Sequence, residues 1–435
     1  MILSTQRLWG LELREHLFEL PLDHAAPEGE QLEVYVRELV ARENVERLEQ
    51  LPCLVFFQGG PGFPSPRPQG RSGWLARAVR DHRVLLLDQR GTGRSTPVCA
   101  TSVVARGTPS DQARYLGHFR ADSIVRDAEL IRRELLGPGN RWRILGQSFG
   151  GFCVVAYLSL PDAGEVLDGA LITGGLPGLA THADDVYRAT YPIVRSKNEA
   201  WYRRYPGDAQ RLTEVLEHLA ASEVHLPTGD RLTPRRLQLL GLSLGMSDGF
   251  EALHYLFESA FTSGGNRKLS HSFLRGVENA QSFDTNPIFA ILHEACYGQD
   301  NGATAWSAHR LRAEFPEFDH GLPDGRPLLT GEMIYPWMFE ELGALAPMRE
   351  AAELLAAREN WPRLYDHERL ASNEVPVAAA VYHEDMYVPR DLSLATAAAI
   401  PKVRTWVTSE HEHNGLRAAG EQVLDHLLGL LEEDA

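Results

Sequence analysis

The sequence of 435 residues lacks several features that mark specialised classes of protein. It has no run near the ~18 uninterrupted apolar residues that a membrane helix requires, so we do not expect it to span a membrane. Its N-terminus, MILSTQRLWGLELREH, lacks the basic segment, apolar segment and small-residue cleavage site of a secretory signal peptide. The sequence therefore predicts a cytoplasmic protein.

Cysteine and clustered basic residues are also scarce. The four cysteines, Cys53, Cys99, Cys153 and Cys296, show no CxxC spacing, so neither a disulfide framework nor a zinc site is predicted. The formal net charge is −16, and no cluster of Lys and Arg offers a phosphate-binding surface, so nucleic acid is not an expected partner. An acidic surface can enrich cationic substrates near the protein, although solubility alone also explains it.

The order of strand and helix patterns predicts the fold class. Strands are predicted at 32–39, 53–58, 84–88, 142–146, 169–175, 376–382 and 403–409. Helices are predicted at 74–79, 123–135, from 149, at 391–399 and from about 415, and helical periodicity alone fills the chain from about 180 to 345. Strands that alternate with helices indicate an α/β protein with a mostly parallel sheet covered on both faces. We therefore predict one catalytic domain formed by residues 1–178 and 346–435, with an all-helical cap domain inserted at 179–345.

The strongest chemical signal is the segment Gly146-Gln147-Ser148-Phe149-Gly150, between a predicted strand and a predicted helix. A serine at such a sharp turn needs small residues two positions before and after it, and the turn projects its hydroxyl above the sheet. Ser148 is therefore the candidate nucleophile. The alternative is a glycine-rich connection in which the serine only caps the next helix.

A second glycine cluster, Gln58-Gly59-Gly60-Pro61-Gly62, directly follows the strand at 53–58. Serine hydrolases stabilise the tetrahedral oxyanion with two backbone N–H groups, one after the nucleophile and one from an earlier strand-exit loop. Phe149 and Gly60 fit these two positions. Judged in isolation, this loop also fits an ordinary glycine-rich turn.

A third glycine cluster, DQRGTGRS at 88–95, resembles a phosphate-binding loop at first sight. It lacks the lysine of a P-loop, and Thr96 stands where the last glycine of GxGxxG belongs. Nucleotide binding is therefore not predicted. We expect a structural turn with Asp88 and Arg90 as buried polar anchors.

A nucleophilic serine needs a histidine to accept its proton and a carboxylate to orient that histidine, and in this fold both follow the serine along the chain. The loops after the last two predicted strands contain HEDMY (383–387) and EHEHNG (410–415). Asp385 and His413 are the candidates, with Glu384 and His411 as competitors in each loop. His411 and His413 also suggest a metal pair, but no further ligand cluster is visible.

In this order the motifs resemble the proline iminopeptidase (prolyl aminopeptidase) family of α/β-hydrolases. The marks are QGGPG (58–62), DQRGTGRS (88–95), GQSFGG (146–151), EDMYVP (384–389) and EHNGLR (412–417). Gln58 departs from the pattern, because many members have His there. The resemblance implies an α/β-hydrolase fold and release of an unblocked N-terminal proline from small peptides, with Ser148, His413 and Asp385 as the triad. It implies no metal and no organic cofactor.

The predicted cap is similar to that of the longer form of the family. The similar segments are 245–261, 286–299 and 330–339. The implied chemistry requires a carboxylate for the charged imino nitrogen and an apolar pocket for the pyrrolidine ring. We expect Glu294 and Glu332 as carboxylates, since each lies among apolar neighbours. The alternative is that each pairs with a cap arginine such as Arg275 or is simply exposed. Candidate pocket residues are Phe261, Tyr297 and Trp337, although aromatic residues at helical spacing more often form plain core.

Fold and triad do not determine the substrate. An esterase, lactonase or amidase on the same scaffold therefore remains a possible interpretation of these motifs. A catalytically silent ligand-binding protein is the alternative from another class, and the complete set of serine, acid and histidine argues against it.

Overall fold

The computed structural model describes residues 2–263, 267–281 and 283–432 around one nine-stranded sheet. The strands are β1 (Ile2–Leu8), β2 (Leu11–Pro21), β3 (Gln31–Ala41), β4 (Cys53–Phe57), β5 (Arg83–Leu87), β6 (Trp142–Gln147), β7 (Leu167–Thr173), β8 (Val377–Tyr382) and β9 (Val403–Thr408). Their order across the sheet is β1-β2-β3-β5-β4-β6-β7-β8-β9. Strands β4 to β9 pair in parallel, whereas the pairs β1–β2, β2–β3 and β3–β5 are antiparallel. The predicted α/β class with a mostly parallel sheet is confirmed.

The sequence patterns do not predict β1 and β2. Residues of β2 alternate between buried and partly exposed, and β1 is largely exposed. An antiparallel edge can leave one face in water, so it lacks the continuous apolar run that marks a central parallel strand. The two strands therefore give a weaker signal than β4 or β5, which are buried throughout.

Helices connect the strands of the first segment. They are α1 (Gly73–Ala78), α2 (Ala100–Val104), α3 (Pro109–Leu116), α4 (Ala121–Leu136), α5 (Phe149–Leu158) and α6 (Ala163–Val166), with a 3₁₀ helix at Arg42–Gln50. The helices predicted at 74–79, 123–135 and from 149 correspond to α1, α4 and α5.

The described residues between β7 and β8 form helices and loops, with β-structure only as isolated bridges. The α-helices are α7 (Ala183–Arg204), α8 (Asp208–Ala221), α9 (Pro234–Gln238), α10 (Gly249–Glu258), α11 (His271–Ala280), α12 (Pro287–Leu292), α13 (Ser307–Leu311), α14 (Glu317–His320), α15 (Met338–Glu341), α16 (Arg349–Ala356) and α17 (His367–Ala371). The 3₁₀ helices are Leu239–Gly245, Glu294–Tyr297, Arg312–Glu314 and Ala346–Met348. We call this insertion the cap. The domain boundaries at 178 and 345 stay predictions. In the described parts of the chain, no helix is long and apolar enough to cross a membrane.

In the described part of the chain after β8, the helices are α18 (Arg390–Ala399), α19 (Gly415–Ala418) and α20 (Gly420–Glu432). Side chains of each central strand alternate between two cores. In β4, Val55 and Phe57 join the core that contains α4 and α5, whereas Leu54 and Phe56 join the core that contains α1 and α20. Helices thus cover both faces, and the carboxyl ends of the parallel strands are free to present functional loops.

The turn after β5 is structural, as the sequence predicts. Asp88 and Arg90 are both buried. Arg67 donates to both oxygens of Asp88 at 2.7 and 2.5 Å, and Arg90 donates to both oxygens of Asp127 at 2.7 and 2.5 Å. Bidentate pairs of this kind satisfy charges that would be costly if buried alone.

Candidate active site

Ser148 lies at the sharp turn between β6 and α5. Its backbone has φ 55° and ψ −125°, outside the regions that L-residues favour. A Cβ on Gly146 would overlap the Gly150 carbonyl group, and a Cβ on Gly150 would overlap the carbonyl oxygen of Phe57. The two glycines flanking the serine therefore allow the strained turn to pack against β4, as the sequence pattern predicts.

The loop that follows β4 approaches the serine closely. A Cβ on Gly59 would lie 2.9 Å from the Ser148 Cβ. Among the described residues, the backbone N–H groups of Gly60 and Phe149 donate no hydrogen bond to another protein group. Phe149 is also the first residue of α5, where the helix dipole favours negative charge. These two backbone donors, one in the loop after β4 and one at the start of α5, are therefore free to bind a developing oxyanion.

Asp385 lies in the loop after β8 and is 2% exposed. Its Oδ1 accepts hydrogen bonds from the backbone N–H groups of Tyr387 at 2.9 Å and Val388 at 3.0 Å. Its Oδ2 lies 2.7 Å from Nδ1 of His413. The two backbone bonds fix the carboxylate, so one oxygen remains directed at the imidazole.

His413 lies in the loop after β9 and contacts both other members of the predicted triad. Its Nδ1 is positioned to donate to Asp385, and its Nε2 lies 2.9 Å from Oγ of Ser148, where it can accept the hydroxyl proton. Burial alone would lower the pKa of His413, but the charge and hydrogen bond of Asp385 raise that pKa above its ordinary value. The three side chains form one buried hydrogen-bonded chain.

The competing acid and base of the sequence analysis lie outside this chain. Glu384 has a 71% exposed side chain that faces Lys197, not an imidazole. His411 packs its ring against Trp406, with 5.8 Å between ring centroids. Both ring nitrogens of His413 form hydrogen bonds, one with Asp385 and one with Ser148. This arrangement does not support the interpretation of His411 and His413 as a metal pair.

Glu332 lies close to the triad but makes no ion pair with Lys or Arg in the described part of the chain. Burial raises its pKa from 4.5 to about 7, while the charge of His413 opposes the rise and that of Asp385 adds to it. Its side chain is still 19% exposed. A deeply placed carboxylate with accessible surface and no strong partner suits a cationic ligand.

Glu294 is placed differently from Glu332. Its Oε2 accepts from the Ser307 N–H at 2.9 Å and its Oε1 from the Ala308 N–H at 3.0 Å, so the carboxylate caps the start of α13. Burial raises its pKa to about 7, and the two backbone bonds oppose that rise. Both oxygens therefore already have partners, and amine binding by Glu294 stays a prediction.

The three predicted pocket aromatics separate in space. Tyr297 packs on Phe152 of α5 with 5.6 Å between ring centroids, and the charges of Glu332 and Asp385 act on its hydroxyl. Phe261 instead contacts His218 and Arg267, and Trp337 stacks on Tyr335 beneath Arg235. Of the three, Tyr297 is the one whose contacts lead to the triad.

Sequence reasoning missed two residues at the site, His293 and Lys197. His293 is buried, its Nδ1 has no hydrogen-bond partner in the described structure, and its Nε2 lies 3.9 Å from Glu332. Lys197 contacts the loops that carry Asp385 and His413 through their neighbours Glu384 and Glu412. No motif marks either residue, although a lone lysine within the helical pattern of α7 could have drawn attention.

Comparisons with known proteins identify the family of this chain. A model of the alpha/beta hydrolase fold matches residues 52–227. Proline iminopeptidase of Aeromonas sobria is 49% identical over 424 residues, which are 97% of this chain and 97% of that protein. A proline iminopeptidase of Aspergillus aculeatus is 33% identical over 96% of this chain and 93% of its own length. The crystal structure of proline iminopeptidase from Mycobacterium smegmatis is similar with a TM-score of 0.45 and 14% identity, covering 96% of this chain and 98% of that one. On the identity to the first two relatives, the chain belongs to the proline iminopeptidase family.

Proposed function

We propose that this protein is a serine aminopeptidase that releases an unblocked N-terminal proline from small peptides, with Ser148 as nucleophile, His413 as base and Asp385 as the orienting acid. The observation that carries the proposal is the buried hydrogen-bonded chain of these three side chains in a member of the proline iminopeptidase family. The cytoplasmic location predicted from the sequence stays a prediction.

The first half of the reaction forms a prolyl-enzyme. Nε2 of His413 takes the proton of the Ser148 hydroxyl while Oγ bonds to the prolyl carbonyl carbon. The Gly60 and Phe149 N–H groups hold the negative oxygen of the tetrahedral intermediate. His413 then gives its proton to the leaving nitrogen as the C–N bond breaks, and the shortened peptide departs.

The second half returns the enzyme to its starting state. His413 takes a proton from water as the water oxygen attacks the prolyl ester, and the same oxyanion donors act again. His413 then protonates Oγ of Ser148 as the ester bond breaks, and proline is released. Asp385 orients the imidazole and stabilises the imidazolium in both halves.

Recognition of the free N-terminus is assigned to Glu332. The imino nitrogen of an N-terminal proline carries a positive charge, and Glu332 is a partly buried carboxylate beside the triad without a Lys or Arg partner among the described residues. Binding of the cation would compensate the cost of burying this carboxylate. Of the three predicted pocket aromatics, Tyr297, which packs on α5, is the one best placed to border the pyrrolidine ring.

The test combines Ser148→Ala with a panel of chromogenic aminoacyl amides, free and N-acetylated. We expect wild-type protein to hydrolyse free prolyl amide and to spare the acetylated form, and we expect Ser148→Ala to lose both this activity and labelling by a fluorophosphonate. Activity on N-blocked esters, with none on free prolyl amides, would indicate an esterase. Full labelling of Ser148→Ala would remove Ser148 from its role.

A further inference from the structure

Lys197 of α7 places its charge at the junction of the cap and the triad loops. Although it is a lysine, it is only 3% exposed. Its Nζ lies 2.6 and 2.7 Å from the two carboxylate oxygens of Glu412 and 3.5 Å from Oε2 of Glu384. A buried ammonium is costly unless it is paired, and here two carboxylates pair with it.

Each of the two partners of Lys197 is the sequence neighbour of a triad residue. Glu384 directly precedes Asp385, and Glu412 directly precedes His413. These residues belong to different loops, which leave β8 and β9 and are joined to each other by the bond between His413 and Asp385. One ammonium group of the cap therefore binds both loops, in each case one residue from a triad member.

The cap also holds the other side of each triad residue. Beyond Asp385, the Tyr387 hydroxyl donates to the Leu242 carbonyl oxygen. Beyond His413, the Asn414 Oδ1 accepts from the Ser247 N–H at 2.9 Å and from the Ser247 hydroxyl at 2.7 Å. Both loops are therefore attached to the cap on two sides, and Lys197 differs from the other contacts because it joins the two loops.

The side chain of Lys197 is 4% exposed, whereas that of its partner Glu412 is 33% exposed. Ion pairs with a solvent-accessible partner add little to stability, and specifying one geometry is the role best attested for buried charges. A displacement of the base by ~1 Å can cost a factor of about 100 in rate, so a contact that fixes the loops has direct value for catalysis.

We propose that Lys197 is a positioning residue, which sets the distance between the Asp385 and His413 loops by binding Glu384 and Glu412. The geometry of the triad therefore depends on the contact between the cap and these two loops. The proposal rests on the proposed function of Ser148, His413 and Asp385. It assigns no contact with substrate to Lys197.

The test compares Lys197→Met, which keeps the length of the side chain without its charge, with Lys197→Arg and with Glu412→Gln. Lys402→Met is the matched control, since Lys402 pairs with Glu374 at 2.6 Å on the exposed surface. Two readouts are used for each variant: kcat and KM on a prolyl amide, and the rate of Ser148 labelling by a fluorophosphonate. Labelling requires the activated serine but no proline recognition, so it tests the triad even if the substrate assignment fails.

For Lys197→Met we expect both kcat and the labelling rate to fall about 10- to 100-fold, with KM changed less than about threefold. For Glu412→Gln, kcat and the labelling rate should also fall. Lys197→Arg should keep most of the wild-type kcat and labelling rate, and Lys402→Met should match wild type in both. Wild-type labelling in folded Lys197→Met or Glu412→Gln would overturn the proposal. A rise in KM with unchanged labelling would overturn it too, because it would make Lys197 a binding residue.

Discussion

Nε2 of His293 lies 3.9 Å from Oε2 of Glu332. Burial lowers the pKa of His293 to about 4, so this imidazole is neutral at neutral pH. A charged histidine would compete with the substrate for the carboxylate. In the proposed function, a neutral one leaves the charge of Glu332 available to the imino nitrogen of an N-terminal proline.

Glu332→Gln should therefore weaken the binding of free prolyl amides. We expect KM to rise at least about 10-fold, since removing one partner of a buried charge pair costs more than about 1.4 kcal/mol. Steady-state kinetics on free prolyl amide provides the measurement, and unchanged fluorophosphonate labelling shows that the triad is intact. Glu340→Gln, at an exposed pair with Arg349, is the control and should leave KM within about twofold. An unchanged KM in Glu332→Gln would move the amine site elsewhere.

The pH dependence of kcat/KM should report two groups in the free enzyme. His413 must be neutral to accept the serine proton, and its pKa lies above its ordinary value because Asp385, Glu332 and Glu412 outweigh burial. Glu332 must be ionised to bind the cation, and burial raises its pKa to about 7. Both requirements fail as pH falls, so kcat/KM on prolyl amide should drop steeply below about pH 7.

The same profile measured by fluorophosphonate labelling separates the two groups. Labelling needs neutral His413 but no bound amine, so its decline toward low pH should follow a single proton. In Glu332→Gln, the decline of kcat/KM on prolyl amide toward low pH should become as shallow as the decline of labelling. Identical profiles for amide hydrolysis and labelling in the wild type would contradict the assignment of Glu332.

Local patterns made the sharp turn at Ser148 predictable. The glycines around Ser148 are required by overlaps within a few residues of the turn and with the adjacent strand β4, so a short motif contains the whole requirement. The proximity of Asp385 and His413 was predictable because the carboxyl ends of parallel strands share one edge of the sheet, which brings the two residues together across 28 residues.

The cap was predictable as helical but not in its contacts. Lys197 reaches Glu412 across 215 residues, and no periodicity encodes that distance. Glu294 and Glu332 look alike in sequence, yet Glu294 meets the start of α13 and Glu332 does not. Helical spacing also cannot tell a pocket aromatic from a core one, so Phe261 and Trp337 were predicted beside Tyr297.

Gly150→Ala should disturb the nucleophile turn. The added Cβ would overlap the Phe57 carbonyl oxygen at the end of β4, and backbone cannot move aside as a side chain can. We expect the free energy of unfolding, measured in urea, to fall by about 1 to 3 kcal/mol, with slower labelling of Ser148. Gly164→Ala in α6 is the control, because its Cβ meets nothing within 4 Å. It should be neutral or stabilising by about 0.5 kcal/mol. Equal effects of the two substitutions would contradict this account of the turn.

Glu294→Gln tests the capping carboxylate through its effect on stability. The folded-state pKa of Glu294 is raised to about 7 from 4.5, so ionisation favours the unfolded chain, and wild-type protein loses stability as pH rises through this window. Glutamine does not ionise. As pH rises from 5 to 8, the unfolding free energy of the variant minus that of wild type should therefore increase by about 2 to 3 kcal/mol.

Glu278→Gln is the control for that measurement, because the pKa of Glu278 is shifted in the opposite direction from that of Glu294. Glu278 also accepts a backbone hydrogen bond, from Thr228 at 2.7 Å, but its pKa is lowered, because its bonds to Thr228 and the charges of Arg275 and Arg236 outweigh burial. Its contribution to stability is present above pH 4.5 and is lost only as pH falls through its lowered pKa. The difference between Glu278→Gln and wild type should therefore stay nearly constant from pH 5 to 8. A difference for Glu294→Gln that is equally constant would mean that Glu294 is ionised in the folded protein throughout this range, as expected of a carboxylate whose helix-capping bonds compensate its burial in full.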